Sequence, residues 1–149
     1  MSTSFELGFG TRGELRLPAS LPAASTRLMS PGCLALWQAR RVVAHIDTNL
    51  GDRLDRATLA NVANLSPSHF CRAFKRTFGV SVHRYVMHRR IERAQHLMLA
   101  TSEALSSIAI SCGMTDQSHL TRWFQRVVGV PPAAWRRARF EPPVATDAR

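Results

Sequence analysis

The chain has 149 residues, 45% of them hydrophobic, with 20 Lys+Arg against 10 Asp+Glu and a formal net charge of +10. That length makes one domain of ordinary size, or two very small ones on a shared framework, with enough apolar residues for a core. A protein this basic meets a polyanion, whether nucleic acid, acidic membrane surface or acidic protein, unless the charge serves solubility alone.

The charge is unevenly placed. Residues 1–30 set Arg12, Arg16 and Arg27 against Glu6 and Glu14, and residues 140–149 set Arg149 against Glu141 and Asp147. The whole excess therefore lies in 31–139. Lys75 is the single lysine; the other basic residues are Arg, whose planar fork donates two hydrogen bonds at once to phosphate or guanine. GC-rich codon usage gives the same bias. The three cysteines, Cys33, Cys71 and Cys112, are odd in number and lack a CxxC pair. They imply neither a disulfide framework nor a zinc knuckle, and they fit a reducing cytoplasm. No apolar run approaches the ~18 residues of a membrane span, and the N-terminus lacks a signal-peptide pattern. Paired carboxylates, a nucleophile constellation and a phosphate loop are missing, so neither an enzyme nor a cofactor or metal is expected.

Residues 1–32 are rich in Ser, Gly, Pro and Ala and are expected to be a disordered extension, with "FELGFG" and "ELRL" alternating weakly as in a frayed hairpin. From residue 34 the texture turns helical. "LALWQARRVVAHIDTNL" places Leu36, Val43, Ile46 and Leu50 on one face with Trp37 beside it. Asp55 is an N-cap for a short helix to about Ala63. Ser66-Pro67 opens the next, through Phe78, and Gly79 ends it. A longer helix spans about 81–99, with Tyr85, Ile91, Ala94, Leu97 and Met98 buried. Ser102 is placed to cap a short helix to about Cys112. Thr115 and Asp116 open another that stops before Gly129, and Pro131-Pro132 starts a last one to about Arg139. The fold class is therefore all-α with seven helices, followed by a flexible tail over 140–149.

The chain repeats itself. At an offset of 50, Ser68/Ser118, His69/His119, Arg72/Arg122, Phe74/Phe124, Arg76/Arg126, Gly79/Gly129 and Val80/Val130 are identical pairs. Upstream the offset is 49, pairing Leu59/Ile108, Ala60/Ala109, Leu65/Met114 and Ser66/Thr115, so the second copy carries one extra residue before Ser118. The repeated unit is short helix, tight turn, longer helix. Asn64 and Gly113 occupy the turns, and both residue types tolerate positive φ; this is the helix-turn-helix pattern. In the second helix of each unit Phe70, Phe74 and Phe78, or Leu120, Phe124 and Val128, form the back. Ser68, Arg72 and Lys75, or Ser118, Arg122 and Gln125, form the front. A narrow, polar, cationic helix with an anchored back suits a DNA major groove. The connecting helix of about 18 residues is roughly 27 Å long, against about 34 Å between successive major grooves.

Together these residues resemble the AraC-type (AraC/XylS family) DNA-binding domain. The resemblance runs through "LANVANLSPSHFCRAFKRTFG", "YVMHRRIERAQHLML" and "IAISCGMTDQSHLTRWFQRVVGVPPAAWR" and covers about residues 34–139. It implies a seven-helix bundle of two helix-turn-helix units, about 55–79 and 102–128, within a domain over 33–139. It also implies a transcription regulator, usually an activator, with double-stranded DNA and RNA polymerase as partners in the cytoplasm at the nucleoid. By position, the resemblance assigns base contacts to Ser68, Cys71 and Arg72 in the first unit. In the second it assigns them to Gln117, Ser118, His119 and Arg122.

Ser68 and Cys71 are small where family members often carry bulkier readers, which leaves Arg72 as the main reader of the first unit and gives the second more of the specificity. Phosphate contacts are expected from His69, Lys75, Arg76, Thr121, Gln125 and Arg126. The two histidines sit at the edge of the exposed face, where phosphate contact or helix capping outweighs metal ligation. Trp37, Trp123 and Trp135 are expected as core or rim packing. Arg90 aligns with a family arginine expected in an internal ion pair. Most members also carry a sensor or dimerisation domain, which thirty linker-like residues cannot form. The chain thus resembles short stand-alone members that act as monomers, or the DNA-binding half of a larger regulator. A basic helical module on protein or membrane surfaces is the alternative, and it would need an apolar face that the bundle leaves free.

Overall fold

The computed structural model describes residues 30–140 and, among them, seven helices and no strand. The helices are α1 (Leu36–Thr48), α2 (Arg56–Val62), α3 (Pro67–Phe78), α4 (Val82–Ala100), α5 (Leu105–Ser111), α6 (Gln117–Val128) and α7 (Pro132–Phe140). The extension, hairpin and tail expected at the chain ends fall almost wholly outside these residues.

Local chemistry sets the helix starts. Asp55, Ser66, Ser81 and Asp116 accept the backbone N–H three residues on, at 2.8, 3.4, 3.3 and 2.7 Å; such caps contribute about 1 kcal/mol each. The α5 start differs from the expectation at Ser102. Its N-cap is Ala104, without a side-chain cap, because Ser102 lies two residues too early. The loop before α5 is held instead by Arg136 of α7, which donates to the Thr101 and Glu103 carbonyls.

Both tight turns close in the same way. Asn64 (φ 56°) and Gly113 (φ 76°) are left-handed. The next residue donates back across the turn, Leu65 N–H to the Ala60 carbonyl at 3.0 Å and Met114 N–H to the Ala109 carbonyl at 2.9 Å. Asn64 and Gly113 also donate to Asn61 and Ile110, which completes the helix-ending motif in each copy. Ala60 and Ala109 are fully buried where the paired helices meet. The α3 and α6 helices match at an offset of 50 and the turns at 49. The extra residue of copy two is therefore Thr115, between turn and N-cap.

Two apolar clusters divide the interior. One runs from Leu34 to Val86 and contains Phe70, Phe74 and Phe78; the other runs from Met87 to Trp135 around Leu120 and Phe124. Helix α4 contributes to both, and the boundary falls inside it. On α1 the buried residues are Ala39, Val42 and Ile46, while Leu36 is 43% and Trp37 48% exposed. The buried face is thus rotated from the expected one, since the small Ala39 allows close approach. Leu97 is only half-buried. Thr77 of α3 fastens the segment leading into α1: its hydroxyl accepts the Leu34 N–H and donates to the Ala73 carbonyl, both at 2.8 Å.

Among the described residues Arg90 makes no ion pair. Its guanidinium donates from Nε to the Leu50 carbonyl at 3.0 Å and from Nη2 to the Asp52 carbonyl at 2.8 Å. Its neighbour Arg89 pairs instead, with Asp47 at 2.8 Å and Glu92 at 2.6 Å. A Cβ at Gly113 would lie 2.5 Å from the Leu50 oxygen and 2.8 Å from Arg90 Nη2. At Gly129, φ is 90° and no atom stands within 4 Å of such a Cβ. Gly129→Ala should therefore cost only the left-handed penalty of roughly 1–2 kcal/mol. Gly113→Ala should cost about 3 kcal/mol or more, because a backbone carbonyl must also move. Thermal unfolding of the two variants checks the difference.

Candidate nucleic-acid interface

Each recognition helix buries one side and leaves the other open. On α3, Phe70, Phe74 and Phe78 are buried, Ser68, His69, Arg72, Lys75 and Arg76 are exposed, and Cys71 is half-buried. Phe74 stacks on Phe78 with centroids 4.4 Å apart and meets Tyr85 of α4 edge-on at 5.4 Å. On α6, Leu120 and Phe124 are buried. Gln117, Ser118, Arg122, Gln125 and Arg126 are exposed, while His119 and Thr121 are half-buried. The Thr121 hydroxyl donates to the Gln117 carbonyl at 2.9 Å, which leaves its oxygen free only as an acceptor.

The cationic candidates separate into two groups. Arg72 and Lys75 line an open concavity of about 440 Å³ between α3 and the start of α4, with Arg56, Cys71, Ser81 and His83. Three cations and no carboxylate give this hollow a positive potential that suits a phosphate backbone. Arg56, Ser81 and His83 were not among the expected contacts, since they lie on other helices and gather only when the chain folds. Arg76 is not in the hollow; its guanidinium lies against Gly32. Arg126 lies over the Trp123 ring at 5.1 Å, and Trp123 meets His83 edge-on at 5.7 Å. Arg122 makes no hydrogen bond or ion pair to a side chain or carbonyl among the described residues, so its donors are free.

Of the tryptophans, Trp135 is buried against Phe124, with the Arg139 guanidinium over its ring at 3.8 Å. Cys112 is buried, and burial pushes its thiol up to about 11, so it stays protonated and unreactive. Among the described residues no three His, Cys, Asp or Glu side chains gather as metal ligands, and no helix is long and apolar enough to cross a membrane.

The paired histidines differ. The Thr115 N–H donates to His119 Nδ1 at 3.3 Å, a bond that requires the neutral ring and leaves Nε2–H as its free donor. Burial, and then the Arg122 charge, holds this imidazole below the ordinary 6.5, against the opposing pull of Asp116. A histidine with a lower pKa folded than unfolded binds fewer protons when folded. Its stabilisation is complete above about 6.5 and is lost as pH falls through the folded pKa. His88, lowered by burial and then by Arg84, acts in the same direction. The melting temperature should fall as pH drops below about 6.5, and fall less in His119→Gln. Equal slopes in melts at fixed ionic strength would remove His119 from this account.

A helix-turn-helix domain family model matches residues 59–138. The probable transcriptional regulator LumQ of Photobacterium leiognathi is 32% identical over 92 residues, covering 62% of this chain and 37% of that protein. The chain spans about two fifths of the length of the curated relatives it matches. The DNA-binding domain of AdpA, solved in complex with a target DNA, superposes with a TM-score of 0.64 at 31% identity, over 69% of this chain and 95% of that one. The fold is shared with a transcriptional regulator of AraC type from Chromobacterium violaceum, TM-score 0.66 at 23% identity, over 70% of this chain and 94% of that one. With the family model covering more than half of its length, the chain belongs to the AraC-type helix-turn-helix family of DNA-binding transcription regulators.

Proposed function

We propose that the chain binds double-stranded DNA sequence-specifically, with α3 and α6 in successive major grooves, and activates transcription through contact with RNA polymerase. The observation that carries this reading is the pair of anchored recognition helices with open polar fronts, held by one 19-residue helix, α4. At 1.5 Å per residue α4 is about 28 Å long, somewhat short of the ~34 Å groove repeat, and either a slight DNA bend or flexing of the protein closes the difference. The likeness to the DNA-bound AdpA domain supports the same reading.

Base edges are read by Arg72, with Ser68 and Cys71 beside it, and by Gln117, Ser118, His119 and Arg122. A neutral His119 offers Nε2–H to an acceptor, as purine N7 or a phosphate oxygen provides. Lys75, His69, Thr121, Gln125, Arg76 and Arg126 serve the phosphate backbone, joined by Arg56 and His83. The protein binds as a monomer at the nucleoid and performs no chemistry. A second reading makes the same domain the DNA-binding part of a longer, effector-controlled regulator. It is favoured by the share of its relatives that the chain covers, and the mass of the native protein on an immunoblot separates the two.

Arg122→Ala should relax base preference at one operator position and cost about 1–3 kcal/mol. Equal loss on specific and random DNA would refute its base-reading role. Lys75→Ala should weaken both alike and reduce the salt slope by about 1, measured by fluorescence anisotropy across a salt series.

A further inference from the structure

The two helix-turn-helix units do not share an apolar core; one cluster ends at Val86 and the other begins at Met87. Helix α4 sets the distance between them, but a helix bends readily under load. The described contacts that bridge the units include a compact polar knot. The α1–α2 loop at Leu50–Asp52 rests on the second turn at Ser111–Gly113. A Cβ on Gly51 would lie 3.0 Å from the Ser111 carbonyl oxygen, and one on Gly113 would lie 2.5 Å from that of Leu50. Arg90 closes the knot. It leaves α4, passes beside Gly113 and donates to the Leu50 and Asp52 carbonyls at 3.0 and 2.8 Å. Two directed donors on a planar fork fix an angle as well as a distance, which a lysine point charge does not.

We infer that Arg90 is a positioning residue that locks the second recognition helix at a fixed angle to the first, and thereby sets the half-site spacing the protein accepts. The inference rests on the two-groove reading above. It treats spacing selectivity as a property of one half-buried bracket that is not itself among the base readers. Base preference within each half-site belongs to the readers on α3 and α6, to none of which Arg90 donates.

The test begins with the full chain and an operator selected from random DNA, followed by variants with one or two base pairs inserted or removed between the half-sites. Each inserted pair rotates one half-site by about a tenth of a turn. Wild type should lose about tenfold or more in Kd for one pair. Arg90→Lys and Arg90→Met should bind the unaltered operator more weakly, lose less than about threefold on insertion, and keep the base preference within each half-site. Variants that keep the full wild-type spacing penalty overturn the inference. A wild-type protein that selects a single half-site overturns the two-groove reading itself.

A second measurement needs no DNA. Residual dipolar couplings of the two units should fit one alignment tensor in wild type and two in Arg90→Met. A single shared tensor in the variant counts against the bracket. Arg90→Lys supplies the same reading if the methionine variant loses helicity.

Discussion

The left-handed residue that ends the first helix of each pair is the constraint on which the rest of the structure depends. It turns the chain sharply enough for Leu65 and Met114 to donate back to Ala60 and Ala109, and so seats each recognition helix across its partner. The parts of the recognition helix itself lie downstream of that turn: the N-cap that starts it, the apolar back that anchors it and the open front. The left-handed region costs an ordinary residue roughly 1–2 kcal/mol, which is why asparagine and glycine stand there. They are not interchangeable. Asn64 is exposed and has room for its side chain, whereas Gly113 faces Leu50 and Arg90, where a Cβ has no space. The second turn carries an additional duty, contact with the other unit.

The two copies have diverged along the same lines. Thr77 in α3 ties the segment before α1 to α3 through a buried hydroxyl; at the matching place α6 has Val127, half-buried in an apolar cluster. Thr115, the one added residue, brings a backbone N–H that His119 satisfies, so the second histidine is oriented by its own turn while His69 is exposed. The duplicated framework is common to both units, and the small departures determine which donors each one offers.

Much of this was legible in the sequence because it is local. Caps such as Asp55, Ser66 and Asp116, the stops at Gly79 and Gly129 and the buried backs of α3 and α6 follow from residue type and the helical period. The sequence misled where distant segments decide. Leu36 has the right spacing for a buried face, but the partners of α1 select Ala39 and Val42. Ser102 is a good capping residue placed two positions early. Arg90 was expected beside a carboxylate, and its partners are main-chain carbonyls, which no residue type announces. Arg56 and His83 reach the hollow beside Arg72 only through the packing of α2 and α4 on α3. The family resemblance implies which front positions would face DNA, a point that periodicity alone does not fix.

The split of the interior at Val86/Met87 has a consequence for how such a chain changes over time. Substitutions in separate cores add nearly independently when they share no partners. A change that loosens the packing around Phe74 leaves the surroundings of Phe124 almost untouched, and the reverse also holds. Each half can therefore drift in sequence on its own schedule. The residues joining the halves, Leu50, Arg90 and Gly113, have no such freedom, because a change in any one of them is felt by both.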